Sequence, residues 1–127
     1  HLFNATSRIA SLMSEGKFDT PVIIVDSIGK LTSIYILADL AVVGGGFGKG
    51  IHNILEPAAN GLPVVTGPNI SRFREACNLL ADGVLSVASE QNKLAGIVWD
   101  KISQVKPKSN WINTQKGASI KIASTLP

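Results

Sequence analysis

Short runs of apolar, mostly β-branched residues alternate along the chain with longer segments in which apolar residues recur at helical spacing. The short runs predict strands, and the longer segments predict helices. Strands are predicted over residues 22–25, 40–43, 63–66 and 84–87, and helices over residues 4–14, 31–37, 52–60, 73–80, 90–105 and 111–124. Such alternation is typical of β-α units, whose strands form a parallel sheet flanked by helices. The pattern therefore predicts an α/β protein.

Two of these elements also carry a prediction about burial. The strand at residues 22–25 is continuously apolar, which is typical of a strand buried inside a parallel sheet. The helix at residues 73–80 places apolar side chains at helical spacing, so Phe73, Ala76, Cys77 and Leu80 are expected to face the core. Cys77 is the sole cysteine, and we expect it to act as a small buried hydrophobe with no disulfide.

Composition narrows the class of protein. Of the 127 residues, 45% are hydrophobic and 17% are charged, which predicts one folded domain over residues 1–127. The net charge is only +3 and 6% of residues are aromatic, so nucleic acid is not an expected partner. No apolar run reaches the roughly 18 residues of a membrane span, so a soluble chain is expected. Because the sequence starts at His1 and the predicted sheet is small, we expect part of a longer protein, lacking its first strand or strands.

Five glycines crowd into residues 44–50, between a predicted strand and a predicted helix. We call these residues the glycine loop. Such a cluster indicates positive φ angles or a close approach of the backbone to another group, because glycine loses the most backbone entropy on folding. A loop of this kind resembles a phosphate cradle, in which amide groups and the helix dipole favour an anion. It matches neither G-x-G-x-x-G nor the Walker A sequence, which excludes a P-loop kinase or ATPase.

The helix predicted after this loop carries polar residues near its start. Asn53 and Glu56 are three residues apart, so on a helix they share one face. A carboxylate at that position can accept hydrogen bonds from two vicinal hydroxyls, as a ribose requires. The alternative is that Glu56 only complements the helix dipole.

These residues form a recognisable pattern. Around residues 39–73 stand Ala-Asp-x-x-x-Val-Gly-Gly-Gly, His-Asn-Ile-Leu-Glu-Pro-Ala, Gly-Leu-Pro-Val-Val and Gly-Pro-Asn. This part closely resembles the 3-deoxy-D-manno-octulosonic acid (Kdo) transferases of lipid A biosynthesis. The resemblance extends less distinctly over residues 22–80, and the segment 111–126 resembles the family's C-terminal helix. It implies a Rossmann-like parallel sheet flanked by helices, the C-terminal half of a two-domain GT-B glycosyltransferase.

The resemblance implies a function for the full-length protein. Such enzymes transfer Kdo from CMP-Kdo to a lipid A precursor without a metal ion or other cofactor, at the cytoplasmic face of the inner membrane of Gram-negative bacteria. This chain would bind the CMP part of the donor. The lipid A precursor would bind through the N-terminal domain, and the full-length protein would meet an anionic membrane surface. The general base would be a glutamate of that N-terminal domain, so no catalytic residue is expected here and the chain alone is expected to be inactive.

The resemblance also assigns residues to the donor site. Glu56 would hold the ribose hydroxyls, with Asn53 close to the nucleotide. Ile28 and Gly29 match a family loop near the base and phosphate, although Lys30 replaces a glutamate often found there.

The glycine loop would supply the rest of the site. Gly45, Gly46 and Gly48 would let the backbone approach the donor. His52 is expected to hydrogen-bond the loop rather than act as a general base. The basic residues that are candidates for phosphate contact are Lys49, Arg72 and Arg74.

Two other functions fit the same residues. Other GT-B proteins, such as UDP-sugar transferases and UDP-N-acetylglucosamine 2-epimerases, share a glycine turn followed by a glutamate-bearing helix. The chain could also be a non-catalytic interaction module in which the glycine loop is structural.

Overall fold

The computed structural model of the chain describes residues 10–16, 18 and 20–104, and the helix predicted over residues 111–124 lies outside them. The strands are β1 (Ala10–Leu12), β2 (Val22–Ile24), β3 (Ala41–Val42), β4 (Val64–Thr66) and β5 (Leu85–Val87). The helices are α1 (Leu31–Tyr35), α2 (Leu55–Ala59), α3 (Arg74–Ala81) and α4 (Leu94–Ser103), with 3-10 turns at Met13–Glu15 and Gln91–Lys93. None of these helices has the length and apolar character needed to cross a bilayer.

The described strands pair in parallel, with helices between them, so the α/β prediction is confirmed. The chain divides into two compact units, His1–Ile34 and Tyr35–Pro127. The first unit contains the two-stranded sheet β1-β2, and the second contains the three-stranded sheet β3-β4-β5.

The first unit contains a strand where a helix is predicted. Residues Ala10–Leu12 form β1 against β2, and Met13–Glu15 follow as a 3-10 turn that ends at Gly16 with φ 65°. The helix predicted over residues 4–14 is therefore wrong over residues 10–14. A short apolar run fits a strand as well as a helix, and here the pairing with β2 decides between them.

The strand predicted over residues 22–25 is confirmed as β2, but its predicted burial is wrong. Val22 is 44% exposed and Ile24 is 46% exposed. Among the described residues β2 has a neighbouring strand on one side only, whereas a central strand of a parallel sheet has two. The apolar run indicates the strand and not what covers it.

The second unit is built around β4. Val64, Val65 and Thr66 are each at most 1% exposed, because β4 lies between β3 and β5. Backbone bonds extend the ladder at its ends, from Val43 N–H to Val65 O at 2.9 Å and from Val64 N–H to Val84 O at 2.9 Å. The buried apolar cluster of this unit comprises Ile54, Ala58, Val64, Ile70, Ala76, Leu79, Val84 and Leu85.

Helix α3 turns a different face to the core from the one predicted. Ala76 and Leu79 are fully buried, whereas Leu80 is 44% exposed and Cys77 is exposed. The predicted burial of Cys77 and Leu80 is therefore wrong. Ala76 belongs to both possible apolar stripes, and the stripe that contains Leu79 joins the buried cluster with Leu85 of β5.

Candidate functional site

The candidate site lies at the carboxyl end of the second unit's sheet. The glycine loop, residues 44–50, follows β3, and residues 67–73 follow β4. Because β3 and β4 are parallel neighbours, both segments leave the sheet at the same edge. Ligands of open parallel sheets bind at this edge.

The two backbones touch at Gly46 and Gly67. A Cβ atom on Gly46 would lie 2.5 Å from the amide nitrogen of Gly67 and 2.7 Å from Oγ1 of Thr66. A Cβ atom on Gly67 would lie 2.4 Å from the carbonyl carbon of Gly46. The Thr66 hydroxyl beneath this contact donates to Val43 O at 2.8 Å. Gly46 is therefore required by the packing of the chain against itself.

The glycine loop is folded back on itself. Gly45 has φ 89°, and a Cβ atom on it would lie 2.1 Å from Gly50 O. The Gly48 amide donates to Gly45 O at 2.9 Å, and the His52 amide donates to Gly44 O at 3.0 Å. His52 thus hydrogen-bonds the loop through its backbone. Gly48 differs from Gly45, because the nearest atom to a Cβ there would be 3.6 Å away.

Residues 69–73 hold the glycine loop from one side. The Asn69 amide donates to Gly46 O at 2.9 Å, and its side-chain Nδ2 donates to Gly48 O at 2.7 Å. The Arg72 guanidinium donates to Lys49 O at 2.5 Å. Arg72 was a candidate phosphate contact, and the structure gives it a bond to the loop backbone.

These bonds leave the glycine loop with an asymmetric set of hydrogen-bonding groups. The carbonyl oxygens of residues 44, 45, 46, 48 and 49 each accept a bond from the chain. Of the seven amides of the loop, that of Gly48 alone donates to an acceptor among the described residues; those of Gly44, Gly45, Gly46, Phe47, Lys49 and Gly50 do not. A loop with most of its carbonyls occupied and most of its amides unoccupied favours an anion over a cation.

Asn53 and Glu56 were predicted to lie on the same helix, but the helix contains Glu56 alone. Helix α2 begins at Leu55, so Asn53 precedes it, and Asn53 Oδ1 accepts the Leu55 amide at 3.0 Å. Short asparagine side chains compete in this way for backbone groups and delay the start of a helix. Glu56 is half-buried in the first turn of α2. The predicted shared helical face is therefore wrong.

A tyrosine lies near Glu56. Burial raises the pKa of Tyr35 above its usual value, and the negative charge of Glu56 raises it further. Tyr35 is the sole tyrosine in the chain and ends helix α1. Sequence analysis gave no sign of this pairing, because the two residues are far apart along the chain.

The predicted base-binding loop belongs to the first unit. Ile28 is fully exposed, and Gly29 has φ 78° with no atom within 4 Å of a Cβ placed there. The preceding Asp26 accepts hydrogen bonds from the Ser14 hydroxyl and amide, and these bonds lower its pKa. The bonds tie the end of β2 to the 3-10 turn of the same unit.

A hollow of about 250 Å³ lies between the residues after the glycine loop and the start of α3. Its lining is mainly apolar, with the Glu75 carboxylate and the His52 and Asn53 side chains as its polar groups. Neither the predicted glycines nor Glu56 lines it, and the carboxylate of Glu75 disfavours an anion there. The hollow is thus separate from the open amides of the glycine loop.

Comparison with known proteins finds relatives of this chain, although no family model matches it. The chain is 43% identical over 79 residues to the 3-deoxy-D-manno-octulosonic acid transferase of Haemophilus influenzae, covering 60% of this chain and 18% of that protein. It is 40% identical over 106 residues to the transferase of the same name from Chlamydophila psittaci, covering 76% and 22%. The solved C-terminal CMP-Kdo binding domain of WaaA from Acinetobacter baumannii aligns with a TM-score of 0.66 and 28% identity, over 75% of this chain and 52% of that one. The chain is a homologue of the Kdo transferases.

The chain spans about a fifth of the length of the curated Kdo transferases it matches. The structural match confirms the predicted Rossmann-like fold of a C-terminal GT-B domain. The predicted site residues in the second unit are Gly45, Gly46, Gly48, Lys49, Asn53 and Glu56, and those in the first are Ile28 and Gly29. Their assignment to a donor site stays a prediction.

The sequence does not predict that Asn69 bonds the glycine loop. The available signal is a polar side chain shortly after the strand β4, at the edge where the glycine loop also lies.

The described residues contain no cluster of three or more histidine, cysteine, aspartate or glutamate side chains arranged to hold a metal ion.

Proposed function

We propose that this chain binds the CMP part of CMP-Kdo, as the donor half of a glycosyltransferase that adds Kdo to a lipid A precursor. The observation that carries the proposal is the open amide groups of the glycine loop, which suit the CMP phosphate. Its relatives are Kdo transferases, and its structural neighbour is a CMP-Kdo binding domain.

Each predicted residue has a part in this proposal. Glu56 accepts hydrogen bonds from the ribose hydroxyls, and Asn53 orders the backbone that leads into α2. Gly48 lies in open space where the donor approaches the loop, while Gly45 and Gly46 let the loop fold. Ile28 and Gly29 contact the cytosine, and Lys49 adds positive charge near the phosphate.

In the intact enzyme, Kdo is displaced directly from the anomeric carbon with inversion, and the open amides stabilise the departing CMP. The general base and the lipid A precursor belong to the N-terminal domain, at the cytoplasmic face of the inner membrane. The chain alone then binds CMP weakly and has no transferase activity, because its site lies in a cleft between domains.

The test is a titration of the chain with CMP, 2′-deoxy-CMP and UMP, followed by NMR. CMP is expected to shift the amide signals of residues 44–56 and to bind more tightly than UMP. Glu56→Ala should weaken CMP binding about tenfold or more, because a hydrogen bond to a charged group contributes roughly 1.5–3 kcal/mol. The same variant should bind CMP and 2′-deoxy-CMP alike if Glu56 contacts the ribose. Glu90→Ala, an exposed carboxylate at the same sheet edge, is the matched control.

The outcome also separates the alternatives. Preference for UMP would favour a UDP-sugar enzyme, and the absence of any nucleotide shift, with the partner domain attached, would favour a non-catalytic module.

An ultraviolet titration of Tyr35 checks the position of Glu56 independently. Glu56→Ala should lower the Tyr35 pKa and leave it above the usual value, since burial is the larger cause.

A further inference from the structure

The 69–73 segment, which leads from β4 to α3, contacts the glycine loop through hydrogen bonds and an aromatic ring. Asn69 donates to Gly46 O at 2.9 Å and to Gly48 O at 2.7 Å, and Arg72 donates to Lys49 O at 2.5 Å. The Phe73 ring adds an apolar contact, since a Cβ atom on Gly50 would lie 2.9 Å from its Cζ. The three bonded carbonyls all belong to the stretch that carries the open amides.

These bonds determine which way the peptide groups of the loop point. In a peptide plane the carbonyl and the next amide point in opposite directions. Holding the carbonyls of residues 46, 48 and 49 toward the 69–73 segment therefore turns the amides of residues 47, 49 and 50 away from it. Without the bonds, a glycine-rich loop samples many backbone conformations, and its amides are not held in one arrangement.

We infer that Asn69 and Arg72 are positioning residues, which fix the amides of the glycine loop for the anionic phosphate of the nucleotide. Neither residue needs to touch the ligand for this role. The inference rests on the proposed function for the identity of the anion, while the clamp itself is a property of the ligand-free chain. Preorganised donors bind an anion more tightly because binding then orders fewer groups.

Two variants and a matched control test the inference. Asn69→Ala removes the bond to Gly48 O, and Arg72→Met removes the side-chain donor that bonds Lys49 O. Both side chains are exposed, so the core stays intact. The control is Lys101→Met, which removes one positive charge from a side chain of α4 that has no hydrogen bond or ion pair with the described part of the chain.

The first measurement is amide hydrogen exchange in the ligand-free protein. Exchange of residues 46–50 is expected to accelerate in Asn69→Ala and Arg72→Met and to match wild type in Lys101→Met. The second measurement compares CMP with cytidine, which lacks the phosphate. CMP affinity should fall roughly tenfold in the two clamp variants, while cytidine affinity stays within about twofold of wild type. Arg72→Lys, which keeps a donor, should recover part of the loss.

The Asn69→Ala variant distinguishes positioning from direct charge attraction, because asparagine carries no charge. If Arg72 bound the phosphate by charge alone, Asn69→Ala would leave CMP affinity unchanged, and the inference would be overturned. Unchanged exchange at residues 46–50 in both clamp variants would also overturn it. If wild type fails to bind CMP with the partner domain attached while loop exchange responds to the variants, the proposed function fails and the clamp stands.

Discussion

At the scale of single residues, the glycines of the loop fall into two groups. Gly45 and Gly46 have a Cβ position blocked by the chain's own backbone, at 2.1 Å and 2.5 Å respectively. Gly48 has no atom closer than 3.6 Å to its Cβ position and is exposed. A glycine-rich sequence alone does not distinguish a residue that makes room for a ligand from one that makes room for the protein.

This difference gives a first prediction. Gly46→Ala should lower the free energy of unfolding by about 1–3 kcal/mol, because the new methyl group overlaps the Gly67 backbone. Gly48→Ala should change it by less than about 0.5 kcal/mol, as is usual for an exposed position. Urea denaturation followed by circular dichroism measures both. Equal losses in the two variants would contradict the packing described for Gly46.

At the scale of elements, two helices depart from their sequence periodicity. Helix α2 begins at Leu55 instead of residue 52, because residues 51–54 complete the closure of the glycine loop and Asn53 binds the Leu55 amide. Helix α3 buries Ala76 and Leu79, which belong to the same buried cluster as Leu85 of β5. Both departures arise from contacts with neighbouring segments.

The face of α3 gives a second prediction. Leu79→Ala should cost about 2–5 kcal/mol of unfolding free energy, because the side chain is fully buried and its removal leaves a cavity. Leu80→Ala, the same change one residue later on a side chain that is 44% exposed, should cost less than about 1 kcal/mol. Chemical denaturation of the two variants side by side decides the assignment. The face assigned to α3 is wrong if Leu80→Ala is the more damaging change.

At the scale of the whole molecule, the two units differ in how their strands are protected. Strand β4 has a partner on each side and is fully buried, whereas the described structure gives β2 one partner and leaves Val22 and Ile24 about half exposed. The glycine loop and Glu56 belong to the second unit, and Ile28 belongs to the first.

This difference gives a third prediction. Amide exchange at Val64 should be at least about tenfold slower than at Ile23, since buried central strands exchange through larger openings than edge strands. Native-state hydrogen exchange of the whole chain, read by NMR, gives both rates in one experiment. Equal protection of β2 and β4 would show that the first unit is as well buried as the second.

The sequence by itself determined the α/β class, four of the five described strands and the position of the glycine loop after a strand. These features depend on local signals, namely apolar runs, helical spacing and glycine clusters, which act over a few residues. The family resemblance added the expected fold and function, and the comparisons support the family and the fold.

Only the tertiary structure decided which groups meet across the chain. The strand at Ala10–Leu12, the buried face of α3 and the nearness of Tyr35 to Glu56 all depend on a partner distant in sequence. The same holds for the bonds from Asn69 and Arg72 to the glycine loop, which join residues more than twenty positions apart. Local propensity cannot encode such pairs, because each half is compatible with several structures until the other half is in place.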